Sequence, residues 1–149
     1  LHTNDAASAI SRLLDLGVNA GILASALSMV VAQRLLRQLC PKCKKIQVIA
    51  SDEKRLFENK KLTPPAETAH PVGCGTCYNS GYRGRTGVYE VIQVNRTIAS
   101  LIFNRALSDD IKDAAVQSGT NLMFNQALKK VYEGITSLNE VFRVIIDYE

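Results

Sequence analysis

No stretch of this sequence is long and apolar enough to span a bilayer. The longest apolar run, Ile22 to Ala32, is broken by Ser25 and Ser28 and suits a buried helix instead. No Gly-x-x-x-x-Gly-Lys-Ser/Thr loop is present, so the chain alone is not expected to hydrolyse ATP. The glycine cluster from Gly81 to Gly87 has arginine where that loop needs Lys-Ser/Thr. No hydrophobic run ends in acids that would hold a catalytic magnesium ion. These 149 residues hold no signal-peptide pattern, no repeat and no low-complexity tract. The chain does not open on Met, and Leu1-His2-Thr3-Asn4 looks like the middle of something, so a fragment of a longer protein is expected.

The 149 residues allow one compact domain or two small ones, and the composition is that of an ordinary soluble globular protein. The net charge of +4 is unevenly placed. Residues 40–87 hold nine Lys and Arg against four Asp and Glu, an excess of +5. Residues 1–39 carry +1 and residues 88–149 carry −2. A metal centre built on four thiolates would lower the middle segment to roughly +3. That is a mild basic patch, compatible with phosphate groups, acidic partner surfaces or anionic lipid. For most individual lysines a solvated basic face is the simpler account.

What the chain does have is four cysteines in two Cys-x-x-Cys pairs, Cys40-Pro-Lys-Cys43 and Cys74-Gly-Thr-Cys77. Two such pairs can wrap one tetrahedral ion with four thiolates, and Zn²⁺ is the default guest. The two-residue spacer lets both sulfurs of a pair reach one ion. Pro41 pre-bends the first turn, and Gly73, Gly75 and Gly81 suit a second turn whose amides must point at sulfur. The alternatives are two disulfides, which belong to short secreted chains, or a redox pair opening a helix in a βαβ unit. His70 lies four residues before Cys74 and could replace a thiolate, although a lone histidine beside a proline is more often a solvated loop residue.

Asn4 or Asp5 can cap a helix carrying Ala6, Ile10, Leu13 and Leu14, with Gly17 at its stop. A second, buried helix is expected over roughly residues 20–38, apolar nearly all round until Gln33. Between the cysteine pairs, Asp52 to Glu58 suits a short helix, and the stretch from Thr63-Pro64-Pro65 to Pro71 reads as a loop. Residues 78–87 read as a tight turn and residues 86–94 as a strand. Helices follow from Asn95, from Ser108-Asp109-Asp110 and over residues 121–133. Ser137-Leu138-Asn139-Glu140 forms a capping box opening the last one.

Four blocks then stand in order: Leu1-His2-Thr3-Asn4-Asp5-Ala6; Gln33-Arg34-Leu35 running to Cys40-x-x-Cys43-Lys44; Cys74-x-x-Cys77 with Gly81-Tyr82-x-Gly84-Arg85-x-Gly87-x-Tyr89-Glu90; and Gly134-Ile135-Thr136-Ser137-Leu138-x-Glu140-Val141. Together they closely resemble the C-terminal part of the type II secretion and type IV pilus assembly ATPases. These are the GspE/PilB group of secretion-superfamily hexameric motors.

The resemblance implies an α/β remnant of a RecA-like P-loop domain over residues 1–39. It implies a zinc-binding tetracysteine module over residues 40–87 and an all-α C-terminal subdomain over residues 88–149. His2 matches the family's histidine box, near the γ-phosphate in an intact motor, with Thr3 beside it. On the residues alone, Asn4 or Asp5 as a helix cap is the simpler account. Arg34, Arg83 and Arg85 are candidate phosphate or subunit contacts, since arginine suits a forked contact to an anion; a surface role is the plainer alternative. Tyr82 and Tyr89 are expected to pack rather than to stack on ligands. The metal set is Cys40, Cys43, Cys74 and Cys77.

The implied parent uses ATP and Mg²⁺ and forms a homo-hexamer. Its expected place is the cytoplasmic face of the inner membrane, as a peripheral protein. Its implied partners there are a membrane platform protein and the cytoplasmic domain of a membrane-anchored assembly protein. The alternative function is a nucleic-acid-binding zinc ribbon using Lys42, Lys44, Lys45, Arg83 and Arg85 with Tyr78 and Tyr82. The small charge excess speaks against it, and nucleic acid is not expected as a partner. A plain interaction domain with zinc as a staple is a third reading, opposed by the blocks at both ends. Metal loss is expected to disorder residues 40–87 and to leave the helices near 121–147 largely intact.

Overall fold

The computed structural model describes residues 3, 5–59 and 62–146. By packing, these fall into two compact units of non-consecutive chain. One lies within Leu1–Arg34 and Val88–Gln126, the other within Leu35–Gly87 and Ala127–Asp147.

In the first unit, α1 (Ala6–Asp15) is capped by Asp5, whose carboxylate accepts from the Ser8 amide at 2.7 Å. Its buried residues are Ala6, Ala7, Ala9, Ile10 and Leu14. Asn19 caps α2 (Ala20–Ala26), accepting from Gly21 and Ile22. The expected helix over 20–38 ends there. From Met29 the chain is strand β1 (Met29–Leu39), with Met29, Val31, Gln33 and Leu35 outward and Val30, Ala32 and Leu36 inward. An apolar run of this length fits either element, and the β-branched pair Val30-Val31 with its period of two favours the strand.

β1 pairs with β4 (Tyr82–Gln93). The Val94 amide donates to Ser28 near one end of the pair and the Cys40 amide to Gly81 near the other, so the strands run antiparallel. The strand begins four residues earlier than expected, and much of the supposed turn is ladder. Asn95 caps α4 (Arg96–Phe103), and α5 (Ser108–Gln117) packs on α4 and α1. The core is Ala6, Ala7, Ile10, Leu14, Leu23 and Ile92 with Ile98, Ile102, Ile111 and Ala115. Glu90 is buried beside it. One carboxylate oxygen accepts from the Ala6 amide, and the other from Met123 at the start of α6 (Met123–Tyr132), both at 3.0 Å.

In the second unit, β2 (Lys45–Val48) pairs antiparallel with β3 (Glu67–His70), Lys45 opposite His70 and Val48 opposite Glu67. The expected loop before Pro71 is therefore partly strand. Four-residue strands leave too short a pattern to recognise from sequence. Between them lies α3 (Ser51–Asn59), close to the expected helix, with Phe57 buried and its ring 6.5 Å from that of Tyr132. Leu36, Leu39, Ala127, Leu128, Val131, Leu138 and Val141 are buried in this unit. The last helix, α7 (Leu138–Val141), is a single turn that continues as a π turn over Phe142–Ile146. Among the described residues no helix is long and apolar enough to cross a membrane.

Candidate metal centre

All four cysteines lie in the second unit as free thiols, and their Sγ atoms sit within 4.8 Å of one another. Three of the separations are 3.9 Å for Cys40–Cys74 and 3.8 Å for both Cys43–Cys77 and Cys74–Cys77. A tetrahedral ion with metal–sulfur bonds of ~2.3 Å needs edges of about 3.8 Å. The donor set fits such an ion, and the spacings are far too long for disulfides.

The first pair is a tight turn in which the amides of Cys43 and Lys44 both reach back to the Cys40 carbonyl. The second opens a 3-10 turn over Gly75–Cys77. Amides aim at sulfur as expected: Gly73 donates to Cys43 Sγ, and Cys74 and Gly81 donate to Cys77 Sγ, at 3.2–3.3 Å. Gly81 has φ +75, and a Cβ there would lie 2.5 Å from the Pro71 Cβ; at Gly73, φ +112, it would lie 2.8 Å from the Asn79 carbonyl oxygen. Only glycine fits either place.

These amides polarise the site. Burial pushes the Cys77 thiol up, but the donors from Cys74 and Gly81, with its thiol neighbours, outweigh it and bring it down to about 6. The Cys77 amide likewise lowers Cys74. Burial raises Cys43 to about 11, against the single Gly73 amide. His70 takes no place among the sulfurs. Its Nε2 is 2.8 Å from the Thr68 hydroxyl and 3.8 Å from the Glu53 carboxylate.

A polar network adjoins the centre. Gln33 and Arg34 stand in β1 just before it, and Arg37 follows. Glu140, fully buried, accepts from the Arg37 amide at 3.0 Å, from Arg37 Nε and Nη2 at 2.9 and 2.6 Å, and from Arg143 at 3.0 and 2.7 Å. The Arg37 guanidinium also lies 4.1 Å over the Tyr82 ring, whose hydroxyl is 2.6 Å from Ser137 Oγ. Ser137 caps α7 by accepting from the Glu140 amide, which is one half of the expected capping box. The Glu140 carboxylate is turned to the two arginines. Sequence reasoning missed this role. The signal was a lone acid in the last block, but its partner stands 103 residues away.

The remaining expected site residues are scattered. His2 lies outside the described residues. The Thr3 carbonyl accepts from Arg34 Nη2 at 3.2 Å, which brings those two together in the first unit. Arg83 and Arg85 are exposed on β4 in the second. Lys44 and Tyr82 make contacts inside their unit; Lys42, Lys44, Lys45 and Tyr78 are all exposed. Tyr89 is half-exposed and accepts from Gln33 Nε2.

Four convergent cysteines set in an α/β chain define a tetracysteine module able to hold one metal ion. The chain belongs to the type II/IV secretion system protein family, whose model matches residues 1–143. It is 39% identical over 146 residues to the type IV pilus assembly ATPase TfpB of Acinetobacter baylyi, covering 97% of this chain and 25% of that protein. It is 39% identical to the type II secretion system ATPase E of Vibrio cholerae, covering 97% and 28%. To the type II secretion system protein E of Pseudomonas aeruginosa it is 41% identical, with the same coverage, 97% and 28%. The chain thus spans about a quarter of the length of these relatives.

Proposed function

We propose that this chain is a C-terminal part of a hexameric ATPase motor that energises type II protein secretion or type IV pilus assembly. The observation that carries this reading is its 39–41% identity, over 97% of its length, to proteins of both systems. In this reading residues 1–39 close a RecA-like domain, and the parent binds ATP and Mg²⁺ through a phosphate loop elsewhere in its chain. His2 stands near the γ-phosphate, and Thr3, Arg34, Arg83 and Arg85 are contacts to nucleotide or to a neighbouring subunit. The hexamer works at the cytoplasmic face of the inner membrane against a platform protein and a membrane-anchored assembly protein.

Cys40, Cys43, Cys74 and Cys77 hold Zn²⁺ in this reading, and the ion supplies a rigid cross-link. Four thiolates leave no position for water, so the centre is structural. The test is the coding sequence before Leu1 together with an activity assay. A phosphate loop upstream, with turnover in the parent that a lysine substitution in that loop abolishes, is the expected result. An upstream region with no such loop would overturn the motor reading.

A further inference from the structure

The segment that begins at Gly134 is fastened to the residues that carry the cysteines. Lys44, next to Cys43, places its Nζ 2.7 Å from the Gly134 carbonyl, just past the end of α6. The Leu39 amide, next to Cys40, donates to the Ile135 carbonyl at 2.8 Å. Thr136 Oγ1 donates to the Arg37 carbonyl at 2.8 Å, Tyr82 reaches Ser137, and Arg37 reaches Glu140. Tyr82 directly follows Gly81, which donates one amide to Cys77 Sγ and accepts the Cys40 amide. The chain entering the first cysteine pair and the chain leaving the second therefore close on one strip, Gly134 to Glu140. None of these contacts involves a sulfur ligand side chain.

We propose that metal binding and docking of Gly134–Arg143 are one coupled equilibrium, with Lys44 and Tyr82 as positioning residues for the centre. The inference rests on the reading that the four thiolates take a metal ion. Binding the ion fixes the Cys40–Lys44 turn and the Gly81–Tyr82 return, which together form the seat for α7. Linkage is reciprocal, so an undocked strip weakens metal retention by the same factor that metal loss loosens the strip. This differs from the expectation that metal loss leaves the chain near 121–147 largely intact. That expectation treats residues 40–87 as independent of the tail, whereas Lys44 and Tyr82 within them, and Arg37 and Leu39 just before them, all bond to the strip.

The test compares wild-type chain with Lys44→Met, Tyr82→Phe and Lys42→Met. Lys42→Met removes the same charge from the same turn, at an exposed side chain. Zinc content is measured first, then the rate of zinc transfer to a chromogenic chelator, then amide exchange with and without chelation. Transfer about tenfold faster in Lys44→Met and Tyr82→Phe, with Lys42→Met close to wild type, is expected from the usual size of outer-shell effects. Chelation of wild type is expected to expose the amides of residues 138–143 along with those of residues 40–44. Wild-type transfer rates in both variants, an equal effect in Lys42→Met, or protection of residues 138–143 unchanged by chelation would overturn the coupling. A wild-type chain that binds no zinc would overturn the metal reading beneath it.

Discussion

Arg37 and Glu140 are joined by three hydrogen bonds, one from the Arg37 backbone and two from its guanidinium, across 103 residues of sequence. The carboxylate is fully buried while the arginine is part-exposed, so its charge is answered from one side by Arg37 and from the other by Arg143. This pair fastens β1 to α7. Glu140→Ala is expected to cost about 3 kcal/mol, because it takes the acceptor from a part-buried backbone donor and from the Arg37 guanidinium. Glu140→Gln retains the shape and loses the charge, and should fall between. Denaturant unfolding monitored by amide exchange within residues 127–143 measures both.

The same carboxylate gives the second unit an acid-sensitive element. Burial pushes Glu140 up, but the hydrogen bonds from Arg143 and Arg37 outweigh it and hold it down at about 2, against an ordinary 4.5. A group depressed in the folded state stabilises fully above its unfolded value. That stability is lost as pH falls from about 4.5 towards 2. Wild type should therefore lose stability faster than Glu140→Gln over that interval. Both proteins are compared free of metal, so that metal release does not enter and the difference between their acid-unfolding curves isolates Glu140. Superimposable slopes would contradict the assignment.

Glu90 is expected to be the costliest polar position in the first unit. It accepts the amides that begin α1 and α6, one on each oxygen. Glu90→Ala leaves two buried donors unmet, roughly 2–4 kcal/mol. Glu90→Gln keeps one acceptor and should cost about half as much. Faster exchange of the Ala6 and Met123 amides, ahead of residues in the α4–α5 contact, is the local signature.

At the metal centre, glycine substitutions should sort by geometry. Gly81→Ala meets Pro71 at 2.5 Å in a left-handed conformation, and its amide serves Cys77 Sγ. A loss of roughly 2–3 kcal/mol with weakened metal retention is expected. Gly75→Ala, where an added Cβ meets nothing within 4 Å, should stay within about 0.5 kcal/mol of wild type. Thermal unfolding of the two variants separates strain from a general intolerance of the turn.

Local chemistry was what the sequence made legible. Asp5, Asn95 and Ser137 act as caps because a short polar side chain satisfies amides within three residues. The cysteine spacing announced its own cluster, and of the three glycines expected to aim amides at sulfur, Gly73 and Gly81 do so. β1 differs from the expected helix because the run Ile22–Ala32 is apolar on most sides and suits either element, so only the short alternation around Val30-Val31 and the pairing with β4 separate the two. Strands β2 and β3 are too short to announce themselves, and they are joined through α3 rather than by a tight hairpin turn. The role of Glu140 was hidden for a different reason. A capping-box pattern accounts for Ser137-x-x-Glu140 completely, and only the tertiary fold brings Arg37 to the carboxylate.

The most direct test of the account is the zinc content of the purified chain, measured with its thiol reactivity. One zinc per chain is predicted, with all four thiols slow to react until a chelator removes the ion and then reacting together. A chain that carries no metal and shows four freely reactive thiols, or two disulfides, would contradict it.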